Sequence, residues 1–295
     1  MGAPEPGSST GLALGRPDDA VGRLIALALD EDVGPGDRTA EAVVPQAARG
    51  TALVFAKEPL VVSGVSAAAR VFRALDRGCE LEAMLGEGDS ADAGAGVLRV
   101  RGSLRALLTA ERTALNLLQR LCGVATLTRR YARALEGTRT RLLDTRKTTP
   151  GLRELEKAAV RAGGGRSHRG ALFDGILVKD NHAAAAGSIG EAVRRARAQA
   201  SPLLIVEAEV STPAQIEEAL AAGAQMLLLD NLGDRELAEA VKQVAGRVPT
   251  EASGGITIDR LPRIAACGVN YVSVGALTHS APAVDLSLLI EGRAQ

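Results

Sequence analysis

The 295-residue chain has very few aromatic side chains and no tryptophan. Phe, Tyr and Trp together make up 2% of the residues, which argues against a nucleic-acid site built on base stacking. The formal net charge is zero, so bulk attraction to nucleic acid or to an anionic membrane is not expected either. No apolar run approaches the roughly 20 residues that a membrane-spanning helix requires.

Cysteine is also scarce. Cys79, Cys122 and Cys267 are odd in number and far apart in the chain. This pattern is typical of reduced thiols, argues against a thiolate metal site, and predicts a cytoplasmic protein. Hydrophobic residues, at 46%, are sufficient for a large core in one large or two medium domains. Residues 1–19 are rich in Gly, Pro and Ser and are predicted to form a disordered tail.

The first third of the chain predicts a mixed layer of helices and strands. Alternating apolar residues indicate strands, and apolar residues three and four apart indicate helices. A long stretch without proline, residues 104–135, predicts a helix in two pieces broken near Gly123. The other expected elements are helices at 21–29 and 65–75 and strands at 51–57, 60–63 and 97–101.

After Arg141 short apolar runs alternate with helical patterns. Repeated strand-then-helix units indicate a parallel sheet covered by helices, either a barrel or a doubly wound sheet. Polar residues follow five consecutive strands, whereas a doubly wound sheet concentrates them at one switch point, so a barrel is favoured. The six predicted strands are residues 142–143, 175–179, 203–210, 226–230, 250–253 and 271–275.

The segment Asp144-Thr-Arg-Lys-Thr-Thr-Pro-Gly151 carries the strongest local signal. Arg146 and Lys147 directly follow a short apolar run, and adjacent cations at the end of a strand are best explained by a bound anion. Further cations follow within about forty residues: Arg161, Arg166, His168, Arg169 and Lys179. Gly163-Gly-Gly-Arg-Ser-His-Arg169 is alternatively a helix C-cap followed by an exposed basic loop.

Two glycine motifs end the last two strand–helix units. Ser253-Gly254-Gly255 and Gly275-Ala276 allow backbone N–H groups to approach a phosphate, which barrels frequently bind in this region. The alternative is that these glycines only form tight turns.

Acidic residues end the preceding strands. Glu207 and Glu209 lie two apart, so both point to one face of their strand, and Asp230 ends the next strand. Hard carboxylate oxygens beside a phosphate site suggest Mg²⁺, which prefers few protein ligands together with substrate phosphate oxygens. Alternatively, Glu207 forms an internal ion pair with a lysine.

Motifs along nearly the whole chain resemble those of the quinolinate phosphoribosyltransferase family. They are Glu31–Asp37, Ala110–Asn116, Asp144–Gly151, Gly163–Arg169, Lys179–His182, Val206–Val210, Asp230-Asn231, Ser253–Ile256 and Val274–Ser280. The resemblance implies an α/β fold: an N-terminal α/β sandwich, residues 20–118 joined by 281–295, and a seven-stranded (β/α) barrel, residues 119–280. Pattern reading finds only six strands.

The resemblance also implies an enzyme of NAD biosynthesis that joins quinolinate to phosphoribosyl pyrophosphate and releases pyrophosphate and CO₂. It implies a homodimer in which Arg112, otherwise an ordinary exposed arginine, reaches the neighbouring subunit's site. Implied catalytic residues are Lys147, Lys179, Glu209 and Asp230, and Glu209 and Asp230 are also the implied ligands of Mg²⁺, directly or through water. Implied substrate-binding residues are Arg112, Thr145, Arg146, His168, Arg169, Ser253, Gly254, Gly255, Gly275 and Ala276.

Two positions depart from the family pattern: Gly170-Ala171 follows His168-Arg169, and Ala208 stands between the two glutamates. Three other interpretations remain open. They are a related barrel with a different activity, a non-catalytic protein that senses an anion, and another phosphate-binding barrel enzyme. The last explains the terminal glycines but not the paired cations.

Overall fold

The computed structural model describes residues 19–292, so the predicted tail, residues 1–19, lies outside this range except for Asp19. In the amino-terminal part the elements are α1 Ala20–Val33, α2 Arg38–Val43, β1 Arg49–Ala56, β2 Leu60–Val61, α3 Val65–Leu75, β3 Glu80–Ala83, β4 Ser90–Ala91, β5 Gly96–Ser103 and α4 Leu104–Arg133. They continue with β6 Arg141–Leu143, α5 Arg153–Ala162, β7 Ile176–Val178, α6 Asp180–Ala186, α7 Ile189–Gln199, β8 Val206–Val210, α8 Pro213–Ala221, β9 Met226–Asp230, α9 Asp234–Val244, β10 Thr250–Ser253, a 3₁₀ turn Ile258–Arg260, α10 Leu261–Ala266, β11 Tyr271–Ser273, α11 Ala276–His279 and β12 Leu286–Glu291.

The chain divides into two compact units. The first contains residues up to 127, together with 150–163 and the segment from 281, and the second contains residues 128–149 and 164–280. The carboxy-terminal segment therefore belongs to the amino-terminal unit, where β12 pairs with β1. Among the described residues no helix is long and apolar enough to cross a membrane.

The first unit is built on a four-stranded antiparallel sheet in the order β12-β1-β5-β3. The buried side chains of β1 and β5 alternate along each strand and join apolar residues of α1, α3 and α4 in one core. The core contains Val54, Leu98 and Phe72, each at most 1% exposed. Sheet and helices thus form the α/β sandwich that the sequence predicts.

The prediction that α4 breaks near Gly123 is wrong, because α4 is continuous from Leu104 to Arg133. Glycine is needed there for packing. A Cβ atom at Gly123 would collide with the carbonyl oxygen of Pro282, in the segment that leads to β12. The gap left by the missing side chain is therefore filled by backbone of the same unit.

The second unit contains a parallel sheet of six named strands in the order β6-β11-β10-β9-β8-β7. Its first strand, β6, pairs with its last, β11, and the others follow in sequence order, as in a barrel. On its other side β6 forms a parallel bridge from Leu143 to Arg166. This bridge marks the position of the seventh strand, which has a single paired residue. The apolar pattern could not predict it, because residues 163–165 are all glycine.

Candidate functional site

A cavity of about 720 Å³ opens at the carboxyl ends of the parallel strands. All its lining residues belong to the second unit. In a parallel barrel every strand ends at the same rim, so side chains far apart in sequence meet there. The lining residues that the sequence predicts are Thr145, Arg146, Lys147, His168, Arg169, Lys179, Glu209, Asp230, Ser253, Gly254, Gly255, Gly275 and Ala276.

The loop after β6 places Arg146 and Lys147 at the cavity. The N–H of Lys147 donates to Thr145 Oγ1 at 3.0 Å, and its carbonyl accepts from Thr278 Oγ1 at 2.8 Å. These bonds fix the loop against α11. The Nε of Arg146 is buried and has no hydrogen-bond partner within residues 19–292, so a donor is available for an anionic ligand.

Glycine at position 275 leaves room for the lysine. A Cβ atom on Gly275 would lie 2.9 Å from Lys147 Cδ. A larger residue would therefore displace the side chain that carries one of the cavity's cations.

Lys179, directly after β7, is paired with Glu209 on β8. Its Nζ donates to Glu209 Oε2 at 2.9 Å. Asp230, at the end of β9, is partly buried, and burial raises its pKa. The nearby negative charge of Glu209 raises the pKa further, whereas Lys179 and Lys147 lower it.

The donor set at these two strand ends fits a magnesium ion. Glu209 and Asp230 offer hard carboxylate oxygens, and the effect of Glu209 on the pKa of Asp230 shows that the two charges repel each other. A divalent cation would relieve this repulsion, and Mg²⁺ characteristically combines a few carboxylates with substrate phosphate oxygens.

His168 enters the cavity wall from the loop after Arg166. Its backbone N–H donates to Asp144 Oδ1 at 2.8 Å. Its ring Nε2 lies 3.0 Å from Glu207 Oε2 and 3.4 Å from Glu251 Oε2. Burial lowers the pKa of His168, but the hydrogen bonds and charges of these carboxylates outweigh it and raise the pKa to about 10.

The contact at the second ring nitrogen of His168, Nδ1, favours the neutral imidazole instead. The Arg169 N–H points at Nδ1, at 2.7 Å, which requires an unprotonated Nδ1. We assign the imidazolium at neutral pH, because two buried carboxylates outweigh one contact between adjacent residues. In both states Nε2 carries a proton and faces the carboxylates.

Arg169 is fixed at the cavity by its own loop, where Nη1 donates to the Gly175 carbonyl at 3.1 Å. Burial lowers the pKa of Arg169, the positive charge of Arg146 lowers it further, and Glu207 and Asp174 act in the opposite direction. Two guanidinium groups are therefore close enough to repel each other, as expected where a doubly charged anion binds.

The glycine pair after β10 adopts a backbone that other residues avoid. Gly254 and Gly255 have φ angles of 87° and 60°. A Cβ atom on Gly254 would lie 3.0 Å from the backbone nitrogen of Asn231, which itself donates to the Ser253 carbonyl. Consecutive left-handed residues turn backbone N–H groups toward one side, a geometry suited to phosphate.

Some predicted cations do not join this group. Arg112 is exposed on α4 in the first unit, where no hydrogen-bond or ion-pair partner is present among residues 19–292. Arg161 lies on α5, also in the first unit, and Arg166 is exposed beside β6. The local surplus of basic residues in the sequence therefore overstates the charge at the cavity.

The alternative that Glu207 pairs with a lysine is wrong, since its partner is His168. Two titratable lining residues were not predicted, Glu251 and His279. Glu251 stands two residues before Ser253, so the period of the strand places both on the inner face, and this signal was available in the sequence. Helical spacing from Gly275 similarly brings His279 to the cavity.

Two family models match the chain. The model of the quinolinate phosphoribosyl transferase N-terminal domain matches residues 37–122, and that of the C-terminal domain matches residues 124–289. A probable carboxylating nicotinate-nucleotide pyrophosphorylase of Bacillus subtilis is 43% identical over 88% of this chain and 89% of its own length. A decarboxylating quinolinate phosphoribosyltransferase of Nicotiana tabacum is 39% identical over 91% of this chain and 81% of its own.

Solved structures agree with these sequence comparisons. NadC from Streptococcus pyogenes superimposes with a TM-score of 0.87 at 41% identity, covering 92% of this chain and 97% of its own. The nicotinate-nucleotide pyrophosphorylase from Francisella tularensis gives 0.89 at 38% identity, covering 96% of this chain and 100% of its own.

Proposed function

Because the chain belongs to the quinolinate phosphoribosyltransferase family, we propose that its strand-end cavity transfers phosphoribosyl from phosphoribosyl pyrophosphate to quinolinate with loss of CO₂. The products are nicotinate mononucleotide, pyrophosphate and CO₂. The observation that carries the assignment is one cavity that combines five cationic side chains, two acidic strand ends and a left-handed glycine pair.

Both substrates are anions, so their mutual repulsion opposes a common site. Quinolinate carries two carboxylates and phosphoribosyl pyrophosphate carries several phosphate charges. Arginine and lysine side chains around a partly enclosed cavity offset this repulsion more strongly than water does. The proposed role of the cations is therefore to make the ternary complex possible.

Arg146, His168 and Arg169 are proposed to bind the quinolinate carboxylates. The unpartnered Nε of Arg146 and the fixed guanidinium of Arg169 supply planar donor groups that match carboxylate geometry. Thr145, whose hydroxyl already accepts from Lys147 N–H, would complete this part of the cavity.

The phosphoribosyl group would occupy the opposite side. Ser253, Gly254 and Gly255, with Gly275 and Ala276, are proposed to bind the 5′-phosphate through backbone N–H groups. Glu209 and Asp230 would bind the ribose hydroxyls and stabilise positive charge that develops on the ring as pyrophosphate leaves. Lys147 and Lys179 would neutralise the leaving group, so Lys179 would exchange its present bond to Glu209 for one to phosphate.

Magnesium is proposed as the cofactor, held by Glu209 and Asp230 directly or through water. When bound it would supply charge neutralisation to the phosphates. No covalent nucleophile is needed in this scheme. Attack by the pyridine nitrogen displaces pyrophosphate and makes that nitrogen quaternary, which stabilises the carbanion left when the adjacent carboxylate departs as CO₂. The carbanion then takes up one proton from solvent to give nicotinate mononucleotide, so the main task of the protein in decarboxylation is to position the substrate.

The active form is proposed to be a homodimer with shared sites. Arg112 supports this, because it is an exposed and unpartnered cation among residues 19–292 and belongs to the first unit. The proposal assigns it to the quinolinate site of the neighbouring subunit.

Release of CO₂ from carboxyl-labelled quinolinate tests the activity, and calorimetry tests the binding site. Arg146→Ala and Arg169→Ala should each weaken quinolinate binding about thirtyfold or more, since each removes a charged partner in a partly buried site. Arg235→Ala is the matched control, because Arg235 is an exposed arginine on α9 whose partner among residues 19–292 is Glu239. Unchanged affinity in either test variant refutes the assignment of that residue.

A further inference from the structure

Two buried carboxylates contact His168 in the cavity wall and are not used by the scheme above; one of them, Glu251, also lines the cavity. Glu207 on β8 and Glu251 on β10 are 4% and 0% exposed. Both point to the inside of the sheet, one layer deeper than the half-buried Glu209. Glu207 Oε1 and both oxygens of Glu251 have no hydrogen-bond partner within residues 19–292.

Such a pair is unfavourable for folding by itself. Each buried carboxylate loses its hydration, and two close together repel each other, so the pair is tolerated only where cations compensate it. Burial raises the pKa of Glu207, and the charge of Glu251 raises it further. The cations that compensate are His168 and Arg169, and both line the cavity.

His168 is the direct contact between the acidic pair and the cavity. Its Nε2 is bound to Glu207 at 3.0 Å and ion-paired with Glu251 at 3.4 Å, while its backbone is bound to Asp144. The ring is thereby fixed at its inner edge. Glu207 also attracts the guanidinium of Arg169, and the backbone N–H of Arg169 contacts Nδ1 of the same ring.

We propose that Glu207 and Glu251 are positioning residues for the quinolinate site: both hold His168 at the cavity wall through its Nε2, and Glu207 also attracts the guanidinium of Arg169. The proposal rests on the proposed function. The acidic residues of the barrel then form two layers with different tasks. The inner pair, Glu207 and Glu251, keeps the cations His168 and Arg169 together, against their mutual repulsion, before quinolinate binds. The outer pair, Glu209 and Asp230, faces the phosphoribosyl group.

This division predicts a selective kinetic defect. Glu251→Gln and Glu207→Gln keep the shape of the side chain but remove its charge. Each should raise KM for quinolinate about ten- to a hundredfold, because the ion pair that holds His168 loses its negative partner, while KM for phosphoribosyl pyrophosphate changes less than about twofold. Glu251→Asp, which keeps the charge, should raise KM for quinolinate less than Glu251→Gln does. It replaces Glu251→Gln as the test variant if the glutamine protein does not fold.

Glu156→Gln is the matched control. Glu156 is a fully buried carboxylate in the first unit that accepts two hydrogen bonds from Arg120. Loss of this charge should lower the melting temperature of the protein without changing KM for quinolinate or for phosphoribosyl pyrophosphate. The control therefore separates a general effect on the fold from an effect on the site.

Three outcomes would overturn the proposal. They are equal increases in both KM values, a fall in kcat with KM for quinolinate unchanged, and a stoichiometric transition metal in the purified protein that Glu251→Gln removes. The last is included because the ligand atoms of His168, Glu207 and Glu251 lie within 4.8 Å of one another. Failure of the wild-type protein to release CO₂ would instead refute the proposed function.

Discussion

At the scale of single residues, burial and neighbours decide what each charge does. Four acidic residues lie on the inner face of the barrel or at its rim, yet they have different partners. Glu209 binds Lys179, whereas Glu207 and Glu251 share His168. Asp230 is a carboxylate whose pKa is raised mainly by burial. Residue type alone would give all four the same task.

A backbone position in the cavity gives the prediction at this scale. In Gly254→Ala the new Cβ would press on Asn231, and the left-handed φ would cost about 1–2 kcal/mol. The N–H groups of the glycine pair should then shift. We expect KM for phosphoribosyl pyrophosphate to rise at least about tenfold, with quinolinate affinity retained.

Gly246→Ala is the control for this variant. Gly246 is also left-handed, with φ 71°, but nothing lies within 4 Å of its added Cβ. It should lose similar stability in thermal unfolding with unchanged kinetics. If both variants show the same KM, the glycine pair has no part in phosphate binding.

At the scale of elements, α4 shows how packing overrides local propensity. Glycine in the middle of a helix is unfavourable by about 1 kcal/mol relative to alanine. The helix nevertheless continues through Gly123, because the backbone at Pro282 packs directly on that position. The tertiary contact at Gly123 therefore offsets the low helix propensity of glycine.

The same contact reverses the usual effect of a helical Gly→Ala substitution. Gly123→Ala should lower the free energy of unfolding by about 1–3 kcal/mol, as overpacking does, although alanine is the better helix former. Denaturant unfolding measures it. Gly190→Ala in α7 is the comparison, since its Cβ would meet only the flexible end of Glu218 and should cost less. A more stable Gly123→Ala protein would contradict the packing explanation.

At the scale of the whole molecule, the two units carry different parts of the proposed site. The cavity cations belong to the second unit and Arg112 to the first. The chain's zero net charge hides this arrangement, because a sum over the whole chain does not show where its charges lie.

Subunit exchange tests the shared site. Arg112→Ala and Lys147→Ala proteins, each inactive alone, should regain up to about a quarter of wild-type activity when mixed. Half of the dimers would be hybrids, each with one intact site of two. Arg146→Ala mixed with Lys147→Ala is the control, because both changes lie in the second unit and no hybrid site is complete. No recovery after demonstrated exchange argues against a shared site.

Local signals in the sequence predicted a mixed layer of helices and strands followed by a barrel, and the family resemblance implied the sandwich and most cavity residues. Short apolar runs located β9 and β10 to the residue, and polar strand ends indicated the rim. The domain limits, the magnesium ion, the dimer and the cytoplasmic location stay predictions. The seventh strand was missed because a single bridge at Arg166 has no apolar run.

What the sequence by itself determined is the set of chemical groups and the face of each strand or helix on which they lie, since both follow from residue type and backbone period. What only the tertiary structure decided is which groups meet. It joined His168 to Glu207 and Glu251, left Arg161 and Arg166 out of the cavity, and carried α4 through Gly123. Contacts between distant segments depend on distances in space, and no spacing along the chain encodes those distances.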